Sequence, residues 1–235
     1  MKLFYSHETT VEKAYIITMF NNELSMRHSE ECQASCRSVG QDHEVWQAFD
    51  GDTNPIGLPQ HSLQNDFIHM LKIRNHRLTR GEVACTLSHA SLWMHCARMD
   101  RPIVILEHDA IMVKKFTQMH SFNSLVWLGS QEWLDKGWHH NAIPPHGTMG
   151  PNYSFMLRAH AYALDPTMAK NLVSHLLRHG ICESADVMLR SDLFNITHQG
   201  FYAYNKQFDD VQRDTTIWPR NGTTHHRGLN INLEW

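Results

Sequence analysis

A run of apolar residues that ends in three polar ones constrains this chain more than any other feature. Residues 103–110 read IVILEHDA, so four apolar residues are followed directly by Glu107, His108 and Asp109. An apolar run of this length is typical of a strand buried on both faces of a parallel sheet. In open α/β sheets, ligands bind at the carboxyl ends of the strands. The run therefore predicts a binding site at its acidic end.

The two carboxylates at this end are spaced for a cation. Glu107 and Asp109 offer hard oxygen ligands that suit Mn²⁺ or Mg²⁺, and such a cation can hold a diphosphate. An acidic pair after a strand also occurs in a solvated turn that binds nothing. The spacing alone leaves both interpretations open.

The residues that precede this strand predict an α/β fold. Residues 13–18 and 43–49 are typical of strands, and residues 24–39 between them of a helix. A strand-helix-strand opening favours a parallel sheet. Asp50 and Asp52 follow the second strand, where a carboxylate can bind a ribose or a base. An Asp-Gly turn without a ligand explains them equally well.

The rest of the chain continues the alternation. We expect helices over residues 81–99, 166–178 and 183–191, and strands over residues 125–129 and 154–164. The long segment 131–151 is irregular, and its Trp133 and Trp138 either stack on a sugar or anchor the loop.

Length and charge limit the class of protein. The 235 residues are 42% hydrophobic, which suits a single domain with its own core. The 21 Lys and Arg against 24 Asp and Glu give a formal charge of −3, so no global basic field favours a nucleic-acid partner. No apolar run approaches the roughly 20 residues that span a bilayer. We expect a domain over residues 13–208, a flexible segment over 1–12 and an irregular tail over 209–235.

The cysteines favour a reducing compartment. Five are present, an odd number, and no signal peptide precedes them, which indicates a cytoplasmic protein. Cys32 and Cys36 lie four residues apart on the predicted helix and are either half of a zinc site or buried structural thiols. We favour burial, because no second cysteine pair completes a zinc site.

Taken in order, several segments resemble glycosyltransferase family 25, which includes lipooligosaccharide galactosyltransferases of bacteria and collagen galactosyltransferases of animals. The most specific is LTRGEVACTLSH at residues 78–89, which resembles a Leu-Thr-x-Gly-Glu-x-x-Cys-x-x-Ser-His signature. Residues 14–19 resemble the family's first strand, residues 49–51 its Asp-Gly element and residues 185–186 a recurring aspartate. Residues 105–110 stand where the family usually has Leu-Glu-Asp-Asp, with His108 replacing the middle aspartate.

The resemblance implies a GT-A-like fold with a Rossmann-like central sheet, mixed but mostly parallel and flanked by helices. It also implies an inverting transfer of galactose or glucose from a UDP-sugar to a hydroxyl of a glycan or other acceptor, with Mn²⁺ or Mg²⁺ as cofactor, as in lipopolysaccharide biosynthesis. If the outer residues of the acidic motif hold the cation, Glu107 and Asp109 suffice and the middle position is free to vary.

The same resemblance assigns roles to individual residues. Asp109 would bind the metal directly, assisted by Glu107. Asp186 would be the general base, with Glu183 behind it, unless Asp186 only caps its helix. The residues expected around the donor are Asp50, Arg80, Glu82, Ser88, His89 and Glu107. Of these, Glu82, Ser88 and His89 shape the pocket either directly or by holding the signature helix in place, and Arg80 is either a partner of the diphosphate or a surface arginine.

Two other functions remain open from the sequence. Because His108 replaces an aspartate of the acidic motif, one alternative is a binding module that kept the fold and lost catalytic activity. The acceptor could also be a hydroxylated base in DNA, against which the net charge argues mildly.

Overall fold

The computed structural model describes residues 11, 13–51, 67–68, 70–75, 77–117, 124–129, 147–148, 156 and 159–205. Four expectations therefore lie outside the described residues, in whole or nearly so. They are the segment 1–12, Asp52, the loop 131–151 with its two tryptophans, and the tail 209–235.

One mixed sheet organises the described part of the chain. Its strands are β1 (Ala14–Thr18), β2 (His43–Gln47), β3 (Ile103–Glu107), β4 (Ala110–Met112), β5 (Leu125–Gly129), β6 (Gly147–Thr148), β7 (Ala161–Leu164) and β8 (Ile196–Asn205). They lie in the order β2-β1-β3-β7-β5-β8-β4, and β6 pairs with β8. The expected parallel pairing holds for β2-β1-β3 and for β5 with β8. The other pairs, β3–β7, β5–β7, β4–β8 and β6–β8, are antiparallel, so the sheet is mixed rather than mostly parallel.

Helices cover both faces of this sheet. They are α1 (Glu23–Ser38), α2 (Arg80–Met99), α3 (Pro166–His179) and the short α4 (Ala185–Met188). Side chains alternate along β1 and β3, so each strand contributes to two cores. One core lies under α2 and α3, and the other lies under α1. The α/β class is confirmed. None of the described helices combines the length and the apolar content that crossing a membrane requires.

Local sequence sets the ends of the helices. Asn22 accepts a hydrogen bond from the Ser25 amide and starts α1, and Asp165 starts α3 with Pro166 in its first turn. Gly180 ends α3 with a φ of 73°, and a β-carbon there would lie 2.3 Å from the Lys72 carbonyl oxygen. Only glycine fits, and this close approach directs the chain toward α4.

Most predicted elements are confirmed to within two residues. The predicted helix 183–191 is wrong in extent: the chain turns at Arg190, whose carbonyl accepts hydrogen bonds from the amides of Leu193 and Phe194. The strand predicted over 154–164 is described as a strand only at Ala161–Leu164. Strands β4, β6 and β8 were not predicted, and β6 lies within the segment expected to be irregular. Cys32 and Cys36 are completely buried, as expected for structural thiols, and belong to no described group of three potential metal ligands.

Candidate functional site

The carboxyl ends of three parallel strands meet at one edge of the sheet. Thr18 of β1 pairs with Gln47 of β2, and Ile17 pairs with Glu107 of β3. The segments that leave these strands therefore emerge side by side. Asn21 and Asp50 come from two of them, and the Asn21 side-chain amide donates a hydrogen bond to the Asp50 carboxylate. The expected placement of Asp50 near the acidic end of β3 follows from this pairing.

Successive side chains along β3 point to opposite faces of the sheet, so Glu107 and His108 lie on opposite faces. Glu107 continues the face that packs against α2, and its Oε1 lies 3.2 Å from Nε2 of His89 on that helix. His108 lies toward α1, where its ring stacks on His28 with ring centroids 5.9 Å apart. The residue that departs from the family pattern therefore contacts a different helix from Glu107.

Asp109 and Glu107 have opposite electrostatic environments. Asp109 is 2% exposed, and its Oδ1 has no hydrogen-bond partner in the described part of the chain. Burial raises the pKa of Asp109, and the charge of Glu107 adds to the rise although His108 opposes it. Burial also acts to raise the pKa of Glu107, but the hydrogen bond and charge of His89, with His160 and His108, outweigh it and lower that pKa. Glu107 is thus the carboxylate held as an anion.

A buried chain of hydrogen bonds orients His89. Its Nδ1 lies 2.7 Å from the Tyr162 hydroxyl, and that hydroxyl accepts a hydrogen bond of 2.9 Å from the Trp93 indole. All three side chains are at most 1% exposed. Since His89 bonds to Glu107 through its other nitrogen, the chain fixes the position of the Glu107 carboxylate.

Ser88 holds the loop after β2 against helix α2. Its hydroxyl accepts a 2.9 Å hydrogen bond from the Phe49 amide and donates to the Ala84 carbonyl. Gly51 follows Phe49 by two residues, and a β-carbon on it would lie 2.9 Å from backbone atoms of Arg80. The Asp-Gly element therefore requires glycine, and this close contact brings Asp50 to the first turn of α2.

Two expected donor residues lie at the start of this helix. Glu82 forms a capping box with Thr79: the Thr79 hydroxyl accepts from the Glu82 amide, and the Glu82 carboxylate accepts from the Thr79 amide. Its carboxylate stabilises the helix terminus. Arg80 is exposed beside Gly51.

The two candidate bases differ in their partners. Asp186 lies in the first turn of α4 and accepts a 2.7 Å hydrogen bond from the Ser184 hydroxyl. Glu183 lies 3.9 Å from the Arg190 guanidinium. Both are half-buried. Asp186 lies close enough to Cys85 on α2 to raise the pKa of that thiol, as do Glu107 and Asp109. Asp186, Glu107 and Asp109 thus act on the same thiol.

These elements coincide with a known family. The sequence model of glycosyltransferase family 25, described as an LPS biosynthesis protein, matches residues 12–188, well over half of the chain. The chain belongs to glycosyltransferase family 25. No curated protein matches it. It is a glycosyltransferase, and the match includes β1, the signature helix α2, the acidic end of β3 and α4.

In this family 25 glycosyltransferase, sequence reasoning missed Trp93, Tyr162 and a role for Cys85. Trp93 and Tyr162 occupy positions of a helix and a strand that the sequence pattern assigns to the apolar core. Because 69 residues separate them, no local pattern predicts their contact. Cys85 precedes His89 by one helical turn, and that spacing is visible in the sequence.

The acidic end of β3 fits a divalent cation. Asp109 presents a buried oxygen that no described residue hydrogen-bonds, which is costly unless a cation or donor group satisfies it. Glu107 is 26% exposed and carries the anionic charge. Oxygen ligands of this kind suit Mn²⁺ or Mg²⁺.

Proposed function

We propose that the chain transfers galactose or glucose from a UDP-sugar to a hydroxyl acceptor, with inversion at the anomeric carbon and with Mn²⁺ or Mg²⁺ as cofactor. The observation that carries this proposal is the buried Asp109 oxygen, which has no hydrogen-bond partner among the described residues and lies beside the anionic Glu107, in a member of a glycosyltransferase family. A glycan of the lipopolysaccharide class is the acceptor that the family description supports.

Asp109 and Glu107 would hold the cation. When bound, the cation stabilises the negative charge that develops on the departing diphosphate. Asp109 supplies the unpaired oxygen, and His89 keeps Glu107 oriented and ionised. His108 packs on His28, so a carboxylate at the middle position is not needed for this arrangement. A GT-A fold is consistent with a parallel β2-β1-β3 unit that ends in these acids.

The donor would lie along the edge formed by the ends of β1, β2 and β3. Asp50 would accept hydrogen bonds from the ribose or the base. Ser88 acts on the donor through the Phe49 amide, which it holds in place. Exposed Arg80 would approach the diphosphate, where its charge offsets that of the phosphates.

Inversion requires a base on the acceptor side, within hydrogen-bond reach of the attacking hydroxyl. Asp186 fits this role better than Glu183, because Glu183 has an ion pair with Arg190. The Ser184 hydroxyl fixes one Asp186 oxygen and leaves the other for the acceptor.

Thermal stabilisation tests the donor site. Wild type, Asp109→Ala and Glu44→Ala are melted with a panel of nucleotides and nucleotide sugars, with and without Mn²⁺. Glu44 is an exposed carboxylate paired with Lys13 and serves as the matched control. UDP compounds should raise the melting temperature of wild type and Glu44→Ala only with Mn²⁺, and should not stabilise Asp109→Ala. No stabilisation of wild type by any nucleotide, or full stabilisation of Asp109→Ala, would refute the proposed site.

A further inference from the structure

We propose that Cys85, His89 and Glu107 form a second cation site, one that takes a thiophilic ion such as Zn²⁺. One sulfur, one ring nitrogen and one carboxylate oxygen from these residues all lie within 4.8 Å of one another. These three ligand types are the ones that zinc favours in proteins, and three protein ligands leave a fourth position for water.

The two ligands on α2 are held in register by the helix itself. Cys85 and His89 are four residues apart, so their side chains lie on one face, one turn apart. That face is the one that meets Glu107 at the end of β3.

His89 already has the outer partner that metal-binding histidines use. Its Nδ1 lies 2.7 Å from the Tyr162 hydroxyl, which the Trp93 indole also contacts. When Nε2 binds an ion, Nδ1 carries the ring proton and donates a hydrogen bond to the Tyr162 oxygen. The bound ring keeps its orientation, and the thiol proton, with any proton displaced from Nε2, is released to solvent.

Access and charge both favour a cation. His89 is buried at the base of the group, whereas Cys85 and Glu107 are half-buried and open to solvent. Burial raises the pKa of Cys85 well above its usual value, and the charges of Glu107, Asp186 and Asp109 raise it further. These carboxylates disfavour a thiolate that has no counterion, and they attract a divalent cation. A bound cation neutralises the charge of the thiolate.

This site differs in ligand type from the one assigned to Mn²⁺ or Mg²⁺, because Asp109 offers only oxygen. The two sites share Glu107. An ion bound to Cys85 would therefore remove Glu107 from the coordination of the Mn²⁺ or Mg²⁺ that binds the donor. This consequence rests on the proposed function. Zinc should then weaken the Mn²⁺-dependent binding of UDP compounds.

Cobalt tests the site without any nucleotide. Co²⁺ bound to a thiolate gives a charge-transfer absorption that carboxylate or histidine ligands do not give. One equivalent of Co²⁺ should produce this band in wild type and in Cys182→Ser, whose cysteine is exposed and lies outside the group. The band should be lost in Cys85→Ser. No band in wild type, or an undiminished band in Cys85→Ser, would overturn the proposal.

Alkylation of the wild-type protein tests it without any substitution. Saturating Zn²⁺ should slow modification of Cys85 by roughly tenfold or more, because a bound thiolate is a poor nucleophile toward the reagent. Cys182 should react at the same rate with and without zinc, as read by peptide mass spectrometry. Equal rates at Cys85 would refute the site. Neither assay involves a donor, so failure of the UDP-sugar proposal leaves this result unaffected.

Discussion

Nε2 of His89 lies 3.2 Å from Oε1 of Glu107, which joins the middle of helix α2 to the carboxyl end of strand β3. Tyr162 and Trp93 extend this contact into the core through hydrogen bonds of 2.7 and 2.9 Å. Three side chains from one helix and one strand therefore determine where the Glu107 carboxylate lies. The functional group is solvent-accessible, and the groups that position it are buried.

Replacing Tyr162 by Phe should weaken both the fold and the site. The change removes the hydroxyl that accepts a hydrogen bond from the Trp93 indole and bonds to Nδ1 of His89. Both buried nitrogens then lose this partner. We expect the free energy of unfolding to fall by about 1–3 kcal/mol. Mn²⁺-dependent UDP affinity should fall by roughly tenfold, the scale typical of lost support for a metal ligand. Urea unfolding and nucleotide titration measure the two effects.

Tyr15→Phe is the matched control. The Tyr15 hydroxyl lies 3.0 Å from Nε2 of His95 and is away from Glu107. Its loss should lower stability and leave UDP affinity near that of wild type. If both variants lose UDP affinity to the same extent, the effect of Tyr162 is general destabilisation and not positioning of Glu107.

Replacing Ser88 by Ala should release the loop that carries Asp50. The Phe49 amide is buried and would lose its acceptor, at a cost of about 1–3 kcal/mol in the free energy of unfolding. We expect a higher KM for the donor with a smaller change in kcat, because the loop contacts donor and transition state alike. Kinetics of UDP-sugar hydrolysis measure both constants.

Ser91→Ala separates loop position from stability. Ser91 lies on the same helix, is equally buried, and accepts a 2.9 Å hydrogen bond from the Trp46 indole. Within the described residues its hydroxyl bonds to Trp46 and to the Ser88 carbonyl but not to the loop after β2, so its replacement should cost stability and leave the KM unchanged. A KM that rises equally in both variants would argue against a role for Ser88 in holding the loop.

The sequence predicted those parts of this arrangement that depend on local pattern. The apolar run before Glu107 and the spacing of α2 were sufficient to place a strand and a helix, because burial imposes periodicity. Glu82 was expected to shape the donor site directly or by holding its helix in place, and its Thr-x-x-Glu capping box, a pattern visible in the sequence, agrees with the second role.

Contacts between distant segments were not predictable in this way. Tyr162 meets His89 only because β7 pairs antiparallel with β3, and the sequence favoured parallel neighbours. Strand β8 was missed since its Thr197-His198-Gln199-Gly200 stretch breaks the apolar alternation, while pairing with β5, β4 and β6 stabilises it. Tertiary pairing overrides weak local preference in such strands.

Replacing Asp186 by Asn should separate chemistry from binding. A general base contributes about 10²–10⁴-fold, and the amide cannot accept the acceptor's proton. Hydrolysis or transfer of the donor should fall by that factor, while the UDP-dependent rise in melting temperature persists. Glu183→Gln, which breaks only the ion pair with Arg190, should keep most of the turnover. Near-normal turnover in Asp186→Asn would remove Asp186 from the base role.

His175 on helix α3 should give the fold a pH dependence. Burial lowers the pKa of His175, and the charges of its neighbours His179 and Arg190 lower it further. Below about pH 6.5 the unfolded chain takes up a proton that the folded chain still resists. The stability contributed by neutral His175 is therefore present above that pH and is lost as the pH falls through the unfolded and then the folded pKa.

Denaturant unfolding at about pH 7.5 and about pH 5.5 measures this loss. The decrease in unfolding free energy on acidification should be smaller in His175→Gln than in wild type, because glutamine does not titrate. His43→Gln removes a histidine from β2, outside this group, and controls for the change in composition. If wild type and His175→Gln lose the same stability between the two pH values, the acid sensitivity arises elsewhere, since every other histidine is present in both proteins.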